Sequence, residues 1–171
     1  MDIIFSSSSL IGEFNRVSKT GGASRDDEVI CRQWVWLKPV QDEVKINVDR
    51  AFCKDSSVAA IGVVARDAYG MVIGGFSKKI EPPFSAESSE AAAFTEGIRM
   101  AFENGWNKVV IEGDAISIVH RLANQVTGKI HDLSTIRLLL NEARQMLVRF
   151  LTFKVHYVCR EANRVAHSLT H

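Results

Sequence analysis

An alternation of apolar and polar residues predicts three consecutive strands in the first half of the chain. Between residues 44 and 52 apolar side chains occupy every second position, which is the period of a half-buried strand. The segments 58–66 and 71–80 are rich in valine and isoleucine, and the turn-like sequence 67–70 separates them. We therefore predict an antiparallel meander of three strands, with Asp49 on the polar face of the first strand.

A helix is predicted after the meander. Pro82 and Pro83 end the strand segment, and three serines just beyond them offer hydroxyls for an N-cap. Apolar residues then recur three or four positions apart as far as Phe102, and Gly105 is expected to close the helix. The candidate cap residues are Ser85, Ser88 and Ser89, and we expect the helix to begin near Ser88.

A strand and two helices are predicted to follow. The apolar run at 109–111 is too short for a helix and predicts a buried parallel strand with Asp114 at its C-terminal end. A short helix is predicted over residues 115–124. A longer helix is predicted over 133–150, where apolar residues keep a strict spacing of three or four.

The two ends of the chain differ in their patterns. Residues 151–157 alternate and predict a last strand, and a final helix from Ala162 is cut short by the end of the chain. Residues 1–33 contain a serine run at 6–9 and show neither period, so they cannot bury a continuous apolar face. We predict a flexible arm over 1–33 and one domain over 34–171.

The composition is that of a globular protein. Of the 171 residues, 46% are hydrophobic and 24% are charged, which excludes a chain disordered throughout. No apolar stretch reaches the about 20 residues that span a bilayer, and residues 1–5 carry no basic residue, so we expect neither a membrane span nor a secretory signal. Cys31, Cys53 and Cys159 are widely spaced, as expected of reduced thiols in an intracellular protein, nuclear or cytoplasmic, rather than of a metal site.

Three acidic residues could meet in one groove of the predicted sheet. If the strand at 109–111 lies beside the first strand, Asp49 and Asp114 can point into a common groove. A helix that begins near Ser88 can bring Glu90 over them. Carboxylates at such short distances repel one another unless cations bind between them, and their hard oxygen atoms suit Mg²⁺ or Mn²⁺. Two such ions about 4 Å apart could activate a water and stabilise the leaving oxygen of a phosphodiester.

The same acidic residues also have a structural explanation. Asp114 can be the N-cap of the short helix, and Glu90 can interact with the dipole of its own helix. Net charge is +1, with the chain up to Asp114 net acidic and the remainder net basic. That division could reflect separate metal and phosphate sites or ordinary surface charge. Spacing alone leaves both readings open.

Five segments of the chain, in this order, resemble the type 1 ribonuclease H family, and most closely its plant branch related to non-LTR retrotransposon polyproteins. They are Trp36-Leu37-Lys38-Pro39, Val44-Lys45-Ile46-Asn47-Val48-Asp49, Ile61-Gly62-Val63-Val64-Ala65-Arg66-Asp67, Ile111-Glu112-Gly113-Asp114 and Arg160-Glu161-Ala162-Asn163-Arg164-Val165-Ala166-His167. The likeness covers residues 34–171. The predicted element order agrees with that fold, which is α/β with a mixed five-stranded sheet, its first three strands antiparallel, flanked by helices.

The resemblance implies endonucleolytic hydrolysis of the RNA strand of an RNA–DNA hybrid with Mg²⁺ or Mn²⁺, and two ions are expected. It implies that Asp49, Glu90 and Asp114 are catalytic metal ligands. Glu90 is preferred over Glu87 because it keeps the family's spacing of seven residues to Gly97. The family's fourth acidic position is occupied by His167, whose imidazole could bind a metal, accept a proton, or only pack or cap.

Other features bear on nucleic-acid binding. Arg50 stands where the family usually has glycine, and a long cation there could contact phosphate or obstruct the site. The candidate nucleic-acid contacts are Arg50, Lys54, Arg160, Asn163 and Arg164, each of which could equally be an ordinary surface residue. Trp34 and Trp36 could stack on bases, but packing against the first sheet is the favoured role. The alternatives to a nuclease are a catalytically weak or inactive nucleic-acid-binding domain derived from a retroelement, and a structural interaction domain.

Overall fold

A six-stranded mixed sheet lies at the centre of the structure. The computed structural model describes residues 4–5, 35–53, 58–80, 85–123 and 135–170. The strands are β1 (Ile4–Phe5), β2 (Val44–Cys53), β3 (Val58–Arg66), β4 (Val72–Ile80), β5 (Lys108–Gly113) and β6 (Thr152–Tyr157), in the spatial order β1-β6-β5-β2-β3-β4. The helices are α1 (Ala86–Glu103), α2 (Ile116–Ala123), α3 (Thr135–Leu147) and α4 (Arg164–Ser168), with a 3₁₀ turn at Arg160–Asn163.

The strands of the sheet run in the predicted directions. β2, β3 and β4 form the antiparallel meander, and β5 runs parallel to β2 and to β6. The turn between β3 and β4 is held by Asp67, whose Oδ1 accepts hydrogen bonds from the backbone N–H groups of Tyr69 and Met71 at 2.9 Å each. Gly70 adopts a positive φ of 84° in that turn. The α/β class and the mixed sheet are confirmed.

A sixth strand at the edge of the sheet falls in the segment predicted to be a flexible arm. β1 pairs antiparallel with β6, with Ile4 opposite Lys154 and Phe5 opposite Phe153. Two residues are too few to show a period of two, which is why the alternation did not predict this strand. The rest of the predicted arm lies outside the described residues.

α1 begins two residues earlier than predicted, because Ser85 rather than Ser88 is its N-cap. The Ser85 hydroxyl accepts from the Ser88 backbone N–H at 3.1 Å, and the Ser88 hydroxyl accepts from the Ser85 N–H at 2.7 Å. Gly105 follows the helix with a φ of 70° and ends it as predicted. At Gly97 an added Cβ would approach Val48 Cγ1 to 2.5 Å, so the absence of a side chain lets α1 lie directly on β2.

Both faces of β2 are covered, so the expectation of a half-buried strand is wrong. Ile46 and Val48 face α1 and belong to the apolar core. On the opposite face Lys45, Asn47 and Asp49 are only 6%, 1% and 4% exposed. Polar side chains buried this deeply require hydrogen-bond or ionic partners, and the structure supplies them within and beside the candidate site.

The C-terminal segment packs on the polar face of β2 and on β3. The predicted helix from Ala162 is observed as the 3₁₀ turn followed by α4. Gly62, which lies opposite Asp49 in the sheet, makes the close approach possible, because an added Cβ would lie 2.5 Å from the Ala166 carbonyl oxygen and 2.9 Å from Leu169 Cβ. α4 is thereby held against the strand that carries Asp49.

The remaining expectations have mixed outcomes. The helices predicted over 115–124 and 133–150 are observed as α2, which begins one residue later than predicted, and α3, which ends three residues earlier; residues 124 and 133–134 lie outside the described residues. Cys159 belongs to a disulfide bond, so the expectation of reduced thiols is wrong for this residue. In the part of the chain that the structure describes, no helix is both long and apolar enough to span a bilayer.

Candidate active site

Asp49 lies in the middle of β2, and its carboxylate contacts His167 of α4. His167 Nδ1 donates to Asp49 Oδ2 over 2.7 Å, and Arg160 Nη2 lies 3.0 Å from His167 Nε2 and 3.4 Å from its Nδ1. The Asp49 carboxylate accepts from Nδ1, and the guanidinium lies beside both ring nitrogens rather than along the lone pair of Nε2. The Asp49 side chain is 5% exposed and that of His167 27%, so His167 forms the solvent side of the pair.

Glu90 reaches the site from the N-terminal part of α1 and pairs with Arg50 of β2. Arg50 Nε donates to Glu90 Oε1 over 2.6 Å, and the two side chains are 25% and 17% exposed. The pKa of Glu90 is raised to about 7, because burial outweighs the lowering effect of Arg50 and the charges of Asp114 and Asp49 add to the rise. Glu90 is therefore close enough to both aspartates to interact with their charges.

Asp114 directly follows β5, at the end of the strand that runs beside β2. Its pKa is raised, mainly by burial and next by the charge of Asp49, while its own backbone N–H, Arg160 and Arg50 act in the opposite direction. Each of these interactions requires proximity. The structure thus brings together the three carboxylates predicted from the sequence, with Arg50, Arg160 and His167 among them.

The three carboxylates are chemically suited to bind a divalent ion, although Glu90 and Asp49 contact other side chains in the structure. In the described residues no group of three or more histidine, cysteine, aspartate or glutamate side chains is arranged to hold a metal. Glu90 is turned onto Arg50, and Asp49 contacts His167. The donors are nevertheless hard oxygen atoms whose mutual repulsion a divalent cation would relieve.

The predicted nucleic-acid contacts fall in different environments. Arg50 lies inside the site, paired with Glu90, and Arg160 is an exposed residue beside His167. Arg164 is exposed on α4, and Lys54 lies outside the described residues. Of the predicted contacts, Arg160 is therefore the cation at the solvent side of the site.

Asn163 does not fit the predicted role of a nucleic-acid contact. Asn163 is only 1% exposed, and its Nδ2 donates to the Val48 carbonyl oxygen over 2.7 Å. A buried amide bonded to the sheet is not available to a phosphate or a base edge. Asn163 instead anchors the 3₁₀ turn to β2 beside Asp49, which positions the start of α4.

A buried polar network next to the site was not predicted. Asn47 Nδ2 donates to Glu112 Oε2 over 3.0 Å, and Lys45 Nζ lies 2.6 Å from Glu112 Oε1. Trp36 covers this network, donating from Nε1 to Asn47 Oδ1 over 2.9 Å, and the Arg66 guanidinium stacks on its ring at 4.3 Å. Trp36 therefore packs on the sheet as expected, while Trp34 lies outside the described residues. The only sign of this network in the sequence was the pair of polar residues at 45 and 47. Their partner Glu112 is distant in sequence, so the pattern could not reveal it.

The sequence pattern of the reverse transcriptase-like family matches residues 47–171 of this chain. The chain belongs to that family. The reverse transcriptase-like chain is also 32% identical over 134 residues to an Arabidopsis thaliana protein provisionally named as a ribonuclease H protein. The match covers 78% of this chain and 21% of that relative, so the chain spans about a fifth of the relative's length.

Solved structures show the fold of this reverse transcriptase-like chain to be that of ribonuclease H. RNase H1 of the archaeon Halobacterium salinarum superposes with a TM-score of 0.65 at 21% identity, over 74% of this chain and 93% of that one. The N-terminal RNase H domain of a Mycobacterium tuberculosis protein gives 0.66 at 19% identity, over 75% and 90%. LC11-RNase H1 in complex with an RNA/DNA hybrid gives 0.62 at 20% identity, over 74% and 92%. The resemblance to a ribonuclease H-like domain is confirmed.

Proposed function

We propose that this domain is a divalent-metal-dependent endonuclease that hydrolyses the RNA strand of RNA–DNA hybrids. The observation that carries the proposal is the meeting of Asp49, Glu90 and Asp114, which come from β2, α1 and the end of β5: the charges of both aspartates raise the pKa of Glu90, and the charge of Asp49 raises that of Asp114. Three carboxylates gathered from separate elements on a ribonuclease H fold are better explained by a cation-binding role than by three independent structural ones.

Asp49, Glu90 and Asp114 would hold Mg²⁺ or Mn²⁺, with two ions expected. When bound, such ions activate a water and neutralise the charge that develops at the scissile phosphate. Asp49 lies two residues beyond Asn47, and Asp114 lies two residues beyond Glu112, which Asn47 opposes in β5, so the register of the two strands brings both aspartates to the same end of the pair. Glu90 contributes its carboxylate from α1, and binding in the ionised form requires loss of the proton that its raised pKa retains.

His167 can move a proton at Nε2. Asp49 accepts from Nδ1, which leaves Nε2 on the more exposed side of the imidazole, where the Arg160 guanidinium lies beside the ring. A neutral imidazole with an oriented second nitrogen is suited to accept a proton from water and to return one to the leaving oxygen of the cleaved strand. Arg160, released from Nε2 during such a step, would remain beside the phosphate.

The fold and the exposed arginines support an RNA–DNA hybrid as the substrate. LC11-RNase H1 was solved with an RNA/DNA hybrid, and its fold superposes on this domain. Arg160 and Arg164 can contact backbone phosphates, which carry no base information. Recognition of a hybrid through its groove shape and 2′-hydroxyls would make cleavage independent of sequence.

A second function is favoured by two particular contacts. Arg50 occupies Glu90 Oε1, and His167 replaces a carboxylate next to Asp49. Both contacts reduce the negative charge available to divalent ions, which would suit a weak or inactive nucleic-acid-binding domain derived from a retroelement. The two functions share the substrate and differ in turnover.

A cleavage assay on an end-labelled RNA–DNA hybrid distinguishes them. The protein is incubated with Mg²⁺ or Mn²⁺ beside its Asp49→Asn variant, and RNA–RNA and DNA–DNA duplexes of the same sequence are run as controls. A nuclease cuts only the RNA strand of the hybrid, leaves 5′-phosphate and 3′-hydroxyl ends, and loses this activity with Asp49→Asn. Tight hybrid binding without cleavage supports the second function, and neither binding nor cleavage excludes both.

A further inference from the structure

We propose that Arg50 is the resident cation of the carboxylate site, and that a divalent ion reaches Glu90 only by displacing the Arg50 guanidinium. This inference rests on the proposed function in one respect, which is that the carboxylates bind divalent ions at all. It adds that the chain carries its own competitor for those ions. Arg50 is then a built-in inhibitory contact rather than a ligand-binding residue in the resting protein.

The direction of the Arg50 side chain follows from its place in β2. Successive strand residues point to opposite faces, so Arg50 shares the α1 face with Val48 and Ile46, while Asp49 points to the α4 face. From that face the side chain bridges the sheet to α1, where it meets Glu90 at 2.6 Å. A residue without a side chain at position 50 would leave Glu90 without this partner.

The Arg50–Glu90 pair is stronger than an ordinary surface ion pair. Its side chains are 25% and 17% exposed, so neighbouring protein replaces much of the water that would screen the charges. A charge-assisted hydrogen bond in such surroundings holds the guanidinium in place. The charge of Arg50 acts on Asp114 as well as on Glu90, so one cation influences two of the three candidate ligands.

Competition follows from the atoms involved. Glu90 Oε1 accepts the N–H of Arg50 and cannot offer the same lone pair to a metal. A divalent ion that binds the other carboxylate oxygen would lie beside an unmoved guanidinium and be repelled by its charge. Metal binding therefore includes the work of breaking the Arg50–Glu90 pair, and the apparent metal affinity of the native protein is lowered by that amount.

The test measures metal binding without substrate. The native protein and its Arg50→Ala, Arg50→Gln, Arg50→Lys and Lys108→Ala variants are titrated with MnCl₂ and MgCl₂ at pH 8 by calorimetry, and the metal-induced rise in Tm serves as an independent readout. Lys108 is a charge-matched control, since it begins β5 and lies six strand positions from Asp114, about 20 Å away. That distance exceeds the screening length of about 8 Å at physiological salt.

We expect Arg50→Ala and Arg50→Gln to bind the metal with a Kd about fivefold to tenfold lower than that of the native protein. Arg50→Lys should stay close to the native value, because an ammonium can still pair with Glu90, and Lys108→Ala should be unchanged. An unchanged or higher Kd in both neutral variants, or no metal binding by any folded variant, overturns the inference. Hybrid cleavage is a separate readout. Tighter metal binding by Arg50→Ala without cleavage leaves this inference standing while it defeats the proposed nuclease.

Discussion

Asn47 and Glu112 lie opposite each other in the parallel pair β2 and β5 and are joined by a hydrogen bond of 3.0 Å between Asn47 Nδ2 and Glu112 Oε2. Asp49 follows Asn47 by two residues, and Asp114 follows Glu112 by two. A slip of one residue in this register would send one aspartate to the wrong face of the sheet. The buried pair therefore sets the alignment in which the two aspartates are neighbours.

Replacing Glu112 by glutamine should strongly destabilise the protein. The hydrogen bond to Asn47 can persist, but Lys45, whose Nζ lies 2.6 Å from Glu112 Oε1, would be left as a buried ammonium without its counter-charge. We expect the free energy of unfolding to fall by about 3 kcal/mol in urea denaturation. Glu142→Gln is the control, because Glu142 pairs with Arg99 at the surface and should change stability by less than about 1 kcal/mol. Equal losses in the two variants would argue against a special role for the buried pair.

Gly62→Ala should separate α4 from the sheet. The new Cβ would lie 2.5 Å from the Ala166 carbonyl oxygen, a contact that only movement of the helix can relieve. We expect a loss of about 1–3 kcal/mol in stability and a tenfold to about 100-fold loss of hybrid cleavage, since His167 moves with the helix. Gly74→Ala is the matched strand variant, because its Cβ would meet only Trp106 at an ordinary 3.5 Å. A fully active Gly62→Ala protein would contradict this account of how α4 is positioned.

The stability of the metal-free protein should depend on pH through Glu90. The folded state raises the pKa of this carboxyl from 4.5 to about 7, so the folded protein binds its proton more tightly than the unfolded chain does. The contribution of Glu90 to the free energy of unfolding is therefore fully present below pH 4.5. It is lost, by at most about 3 kcal/mol, as pH rises to about 7. Urea denaturation in EDTA across this range should show a shallower fall for Glu90→Gln. Glu87→Gln, an exposed substitution in the same helix, should follow the native curve, and a parallel curve for Glu90→Gln would refute the assignment.

His167 offers a test of proton transfer. If its Nε2 moves a proton during cleavage, His167→Ala should lower kcat by about 100-fold with little change in KM, because the imidazole assists the reaction rather than the binding of the hybrid. His167→Asp should bind Mn²⁺ more tightly than the native protein, since a carboxylate is added beside Asp49. His120→Ala, which removes an exposed histidine of α2, is the control and should retain full activity. A native kcat in His167→Ala would remove the histidine from the mechanism.

The sequence was most informative where periodicity is local. Strand β3 was predicted with its observed bounds and α1 to within a few residues, because alternation, serine caps and glycine stops are short-range signals. The three carboxylates could be named through the family resemblance, although spacing alone left their roles open. That the three carboxylates lie close together could be established only from the fold.

The partners of these side chains could not be predicted from the sequence. Arg50 and Glu90 are 40 positions apart, and Asp49 and His167 are 118 positions apart, so no spacing rule links them. Asn163 was predicted as a surface contact, but the 3₁₀ turn that carries it is held against β2, and the following helix α4 packs closely at Gly62; both are features of packing rather than of the sequence pattern. Lys45 and Asn47 resembled a solvent-facing row because Trp36, which covers them, lies outside the strand and its alternation.

The most direct test of the central claim is a cleavage cycle with Asp49→Asn, Asp114→Asn and the double variant on an RNA–DNA hybrid in Mn²⁺. Residues that act as one metal site show strongly non-additive losses. The account predicts that each single variant loses nearly all cleavage and that the double variant is no worse than either. Losses that multiply in the double variant, or a single variant with native activity, would contradict a shared site.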